Sequence, residues 1–118
     1  MEKPTIVSVK NAEQYVWGQN CTGWHLLKSD DLSVIEECME PGTTEQFHYH
    51  ERAQQLFYIL SGNAGFKIGE ELLYLSNGES IHIPPGTPHM IFNNGNTNLQ
   101  FIVISSPKSH GDRVNVYG

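Results

Sequence analysis

What most limits the fold of this chain is its punctuation. Short runs rich in Val, Ile, Leu, Phe and Tyr follow one another, each cut off after a few residues by Gly, Pro, Asn or a Ser-Asp cluster. No window holds apolar residues at the three-and-four spacing of a helix. About ten short strands separated by turns, with no helix to cover them, describe an all-β sandwich or barrel. At 118 residues the chain is one domain with a single core.

The strands can be placed in order. Residues 5–9 form a β-branched run that reads as an edge strand, and residues 11–22, broken at Gly18 and Asn20, read as a connection. Residues 24–28 and 32–39 are strands on either side of the Ser29-Asp30-Asp31 turn, and Pro41-Gly42 ends the second. Residues 55–61 form another. Residues 64–68 and 71–75 flank Gly69-Glu70, a pair that suits a tight hairpin. Residues 80–83, 90–92 and 99–104 complete the set, which makes a barrel of about 23–105 with an N-terminal strand and arm (1–22) and a C-terminal tail (106–118).

Two of these runs carry chemistry. In Gly42–Gly62, His48 and His50 stand two residues apart, so in an extended strand both imidazoles point to one face. A polar turn, residues 51–54, leads to Gln55 at the head of the next strand, whose amide oxygen reaches the pair if the strand folds back. In Gly78–Asn93, Pro85 fixes φ and Gly86 allows a positive φ, so the chain turns sharply and His89 opens the following strand.

These spacings resemble the paired motifs of the cupin superfamily. Gly42, His48, His50 and Gly62 stand at the first motif's positions, with Gln55 where the family carries Glu, and Gly78, Pro84, Gly86, His89 and Asn93 stand at those of the second. The resemblance implies a double-stranded β-helix, or jelly-roll, barrel with one divalent metal ion held by His48, His50, Gln55 and His89. It names no reaction, because the family includes dioxygenases, isomerases, epimerases, lyases and binding proteins. Some small cupins with three His and a Gln tautomerise unsaturated uronates. These carry an acid and an Arg on and after the last strand, whereas residues 99–107 here contain no acid.

Neutral imidazole and carboxamide ligands leave a divalent ion its full charge, where a Glu would cancel part of it. Such a site holds its metal less tightly and favours an anionic ligand. The donor set suits Zn, Ni, Fe, Cu or Mn alike. The expectation is a small-molecule enzyme, an isomerase, tautomerase or lyase acting on a carbohydrate-derived or other carboxylate-bearing substrate, with the metal as Lewis acid. A non-haem Fe(II) dioxygenase and a non-catalytic binding module stand as alternatives. Phe57 and Phe92 are candidate pocket walls, and Arg113 is a candidate carboxylate clamp if the tail, read as solvated, closes over the barrel. Among candidate proton carriers Tyr58 points outward by parity and His110 depends on the tail folding inward, so no acid–base group is identifiable. Glu45, Glu51 and Arg52 read as solvated rim residues, and His25, His82 and His110 as surface or hydrogen-bonded histidines.

Charge and composition exclude other classes. A net charge of −6, with 7 Lys and Arg and no run of them, argues against nucleic acid or an anionic membrane as partner. No stretch approaches the ~20 apolar residues of a membrane span, and no apolar leader is present, so a cytoplasmic protein is expected. Cys21 and Cys38 read as reduced structural thiols. The strand from Gln55 is apolar on both faces, Phe57 and Ile59 on one and Leu56, Tyr58 and Leu60 on the other, so a homodimer is expected to cover the outer one.

Overall fold

The computed structural model describes residues 3–117. Eleven strands fold into two antiparallel sheets, with no helix among the described residues. In chain order they are β1 (Glu13–Trp17), β2 (Cys21–Lys28), β3 (Ser33–Met39), β4 (His48–Tyr49), β5 (Gln54–Ser61), β6 (Asn63–Ile68), β7 (Glu71–Ser76), β8 (Ser80–Ile83), β9 (His89–Phe92), β10 (Leu99–Ser106) and β11 (Val114–Asn115). One sheet runs β1-β2-β3-β10-β5-β8 and the other β11-β4-β9-β6-β7. The two-sheet β architecture expected from the punctuation is observed, in the jelly-roll form that the cupin resemblance implies.

Alternation decides which side chains fill the space between the sheets. Along β10, Leu99, Phe101, Val103 and Ser105 are buried while the residues between them are not. The same alternation along β5 and β3 brings Phe57, Ile59, Ile35 and Met39 inward, against Phe66 and Ile91 of the facing sheet. The Phe57 ring meets Phe66 edge-on at 5.1 Å and Phe101 at 5.8 Å.

Two expectations about the chain ends fail. Residues 5–9 are not a strand: Ile6 is 92% exposed, and the chain turns at Ser8, whose carbonyl accepts the Asn11 and Ala12 N–H groups. The edge strand is β1, inside the stretch read as a connection, because Tyr15 and Trp17 alternate inward against the core while Val16 faces out. Nor is the tail free. β11 pairs with β4, the Val116 N–H donates to the Phe47 carbonyl, and Gln46 Nε2 donates to the Val116 carbonyl.

The tail is pinned by Asp112. Its carboxylate accepts the backbone N–H groups of Glu51 (3.0 Å), Arg52 (2.9 Å) and Ala53 (2.9 Å), three donors in the turn between β4 and β5. That turn would otherwise leave them unpaired, so one side chain satisfies the loop and ties the tail to it.

Candidate metal centre

His48 and His89 face each other in register on neighbouring strands, and His50 follows His48 on the same face. All three are buried, and their ligand atoms lie within 4.8 Å of one another. Each ring is oriented through Nδ1, which donates to a backbone carbonyl: His48 to Gln46 (2.6 Å), His50 to Asp112, and His89 to Thr87 (2.8 Å). With the proton on Nδ1, each Nε2 keeps a free lone pair, as metal-ligating histidines require. The tail therefore takes part in the site, since Asp112 supplies the acceptor for His50.

Gln55 enters from the other sheet. Its Nε2 donates to the buried Ser105 hydroxyl (3.0 Å), which turns Oε1 toward His89 Nε2 at 3.1 Å. In this orientation two acceptors face one another across a gap that a cation would bridge. Burial is the main cause that pushes His48 down to about 3 and His89 to about 4, and it lowers His50 as well, so all three imidazoles are neutral near pH 7. Three unprotonated nitrogens and an amide oxygen fit a divalent transition ion.

The Pro84-Pro85-Gly86 turn sets this geometry locally. Gly86 has φ 77, and its N–H donates to the His50 carbonyl (2.7 Å), which ties the turn before β9 to the strand of the other two ligands. Asn93, at the far end of β9, donates through Nδ2 to the carbonyls of Met39 and Thr97 and clamps the adjoining loops.

A cavity of about 330 Å³ opens beside the cluster. His48, His50, Gln55 and Phe57 line it together with Tyr15, Trp17, Glu37, Glu45, His110 and Arg113 among others. His89 sits behind, packed against the Phe57 ring at 6.1 Å. The candidates Phe57 and Arg113 thus border the space. Phe92 does not: three residues beyond inward-facing His89, it has the opposite parity and covers Gly65 on the outer side, perpendicular to Tyr74.

Several residues at the cavity were misread or went unread in the sequence. Glu45 is no solvated rim residue; its side chain is 16% exposed and accepts the Ile91 N–H (3.4 Å), with Arg113 Nη1 3.9 Å away. Burial pushes its carboxyl up to about 7, against the pull of Arg113. Glu37 goes up to about 8, through burial first and the nearness of Glu45 second. The available signal for Glu37 was its phase, one acid among the inward apolar residues of β3. Tyr15 and Trp17 had no such signal while β1 was read as a connection. Of the bystanders, Glu51 and Arg52 are exposed, His82 bonds the Gln54 amide (2.9 Å), and His25 packs beside Tyr15.

Comparisons with known proteins agree with this fold. The Cupin domain family model matches residues 35–105. A Methanocaldococcus jannaschii protein, MJ1618, is 33% identical over 89 residues, 75% of this chain and 71% of its own. The mannose-1-phosphate guanylyltransferase RfbM of Salmonella typhimurium is 43% identical over 61 residues, 52% of this chain but only 12% of that enzyme. Among solved structures, the polyketide cyclase RemF from Streptomyces resistomycificus superposes with a TM-score of 0.85 at 20% identity, covering 98% of this chain and 87% of its own. KdgF from Halomonas sp. does so with 0.82 at 19%, covering 91% and 98%. The structural likenesses carry the fold alone. Together with the family match, the two His-bearing turns and the closed pair of sheets place this chain in the cupin family.

Proposed function

We propose that the protein binds one divalent transition-metal ion through His48, His50, Gln55 and His89 and is a small-molecule enzyme, an isomerase, tautomerase or lyase on a carbohydrate-derived or other carboxylate-bearing substrate. The observation that carries this is the shared orientation of the three imidazoles, each fixed through Nδ1 so that three free nitrogens converge beside one amide oxygen. A metal ion held there supplies a Lewis acid for a carbonyl or hydroxyl oxygen.

The rest is the work of the chain's own residues. Arg113 presents a cation at the cavity for a ligand carboxylate, oriented by its Nε bond to Asn115 Oδ1 (3.1 Å). Phe57, Ile35 and Val103 give the cavity apolar lining, which strengthens the polar interactions beside it. The relatives support the ligand class: this chain resembles mannose-1-phosphate guanylyltransferases and an oxalate-binding protein of Thermotoga maritima, whose names point to sugars and carboxylates.

The experiment is metal analysis of protein purified without chelator, followed by turnover assays on uronic acids, 2-oxo acids and diketones with oxygen uptake recorded. Zn, Ni or Mn with turnover and no oxygen uptake supports the proposal. Iron with oxygen consumption makes the protein a dioxygenase, and ligand retention without turnover makes it a binding module.

A further inference from the structure

Glu37 belongs to the cavity yet takes no part in the chemistry above. It stands in mid-strand on β3, in phase with buried Ser33, Ile35 and Met39. A lone acid in such a row is costly unless it is paired or kept neutral. Among the described residues it makes no ion pair; Arg113 stands against Glu45 instead. The polar side chains that bear on its ionisation are Glu45, Trp17, Arg113 and Tyr15. Trp17 Nε1 is buried, and it and the Tyr15 hydroxyl pull the Glu37 carboxyl down against the larger effect of burial.

The backbone around Glu37 is built to admit this arrangement. Tyr15, Gly23, Glu37 and Phe101 occupy one cross-strand row over β1, β2, β3 and β10. A Cβ at Gly23 would lie 2.3 Å from Tyr15 Cζ, so the ring crosses the space where a side chain would stand. The missing side chain lets Tyr15 lie along the row from β1 toward the cavity, which both it and Glu37 line. The other carboxyl at the cavity, Glu45, is already engaged by Ile91 N–H and approached by Arg113.

We infer that Glu37 is the proton carrier of this cavity, exchanging a proton with a ligand held between it and the histidine cluster. This rests on the reading of the cavity as the site of a metal-dependent isomerase, tautomerase or lyase. Acting as base, the Glu37 carboxylate forms an O–H bond as a ligand C–H bond next to a carbonyl breaks, and the C–H electron pair moves toward the carbonyl oxygen. Where the ligand carries a C=C conjugated with the enolate, returning the proton to the far carbon of that system as the carbonyl re-forms completes an isomerisation with no oxidant or reductant. The raised carboxyl of Glu37 leaves both protonation states populated near neutral pH, as a two-way proton carrier needs. The titratable and charged groups that share the cavity with it are Tyr15 on β1, Glu45, His48 and His50 at β4, and His110 and Arg113 ahead of β11.

The test compares wild type with Glu37→Gln, both metal-loaded, on uronic acids and 2-oxo acids in D₂O. Proton NMR follows loss of the C–H signal beside the carbonyl, and elemental analysis gives metal content. The expected result is exchange by wild type that falls about 100-fold or more in Glu37→Gln, with metal stoichiometry unchanged. Exchange within about threefold of wild type, or no exchange by metal-loaded wild type on any of these acids, overturns the inference. A Glu37→Gln protein that has lost its metal also overturns it, because the residue then supports the metal site. Failure of wild type to hold metal overturns the underlying reading instead. A second measurement needs no substrate: in metal-free protein, Glu37→Gln should raise the thermal midpoint relative to wild type more at about pH 9 than at about pH 5. An equal difference at both pH values removes the ionisable role.

Discussion

Three imidazoles fixed through Nδ1 define this protein at the level of single residues, and their ionisation makes the site dependent on pH. Burial holds His48 and His89 well below the 6.5 of a free imidazole, so between about pH 4 and 6.5 the unfolded chain binds more protons than the fold. These groups therefore make the metal-free protein gain stability as pH rises through that window. Glu37 and Glu45 act in the opposite sense. Their folded values of about 8 and about 7 stand above the ordinary 4.5, so the fold binds more protons, and their contribution is lost as pH rises from about 4.5 to 8. Urea midpoints across this range should rise on the acid side and fall on the alkaline side, and His89→Ala should flatten the acid limb. The same variant should hold much less metal than wild type while the barrel still folds; unchanged stoichiometry removes His89 from the site. Gln55→Glu should retain metal more tightly against a chelator, because it adds a negative charge beside the ion.

Among the elements, the segment around β11 has the largest effect for its length. Two paired residues add little by themselves, but Asp112 joins them to the turn after β4 and to the His50 ring. Burial acts to raise the Asp112 carboxyl, yet the three N–H donors outweigh it and hold it below the usual carboxylate range. The stabilisation it gives is thus complete above about pH 4 and is lost as pH falls through the lowered folded value. Asp112→Ala should cost about 2 kcal/mol or more by denaturant titration, since it strands backbone donors in a turn. It should also free the tail for tryptic cleavage at Lys108 and Arg113 and weaken metal retention through His50. Unaltered proteolysis would mean that the tail is held by other contacts.

For the whole molecule, the outer face of the six-stranded sheet is the feature that calls for a partner. Val34, Ile104 and Leu56 form one row across β3, β10 and β5, and Ile102 and Tyr58 continue the next beyond Glu36. Tyr58 is 42% and Leu60 38% exposed. A contiguous apolar patch on a strand apolar on both faces is expected to be covered by a second copy of the chain. Sedimentation of wild type should give a dimer, and Ile102→Lys with Tyr58→Glu should give a monomer; a monomeric wild type would overturn the expectation.

The architecture and the four candidate ligands were legible in the sequence because their causes are local. Gly and Pro set turns within a few residues, and alternation gives His48 and His50 one face wherever the strand lies. Phe92 was misplaced although parity reaches it, since an odd offset from His89 already turns it outward. Other features depend on contacts that only closure of the two sheets creates. Tyr15 approaches Glu37 because β1, β2 and β3 bring it into register over a bare Gly23. Arg113 borders the cavity because Asp112 finds three donors about 60 residues earlier in the chain. Turns and strand faces follow from neighbouring residues, whereas the choice of acid, arginine and aromatic ring that share one cavity depends on which distant strands pair.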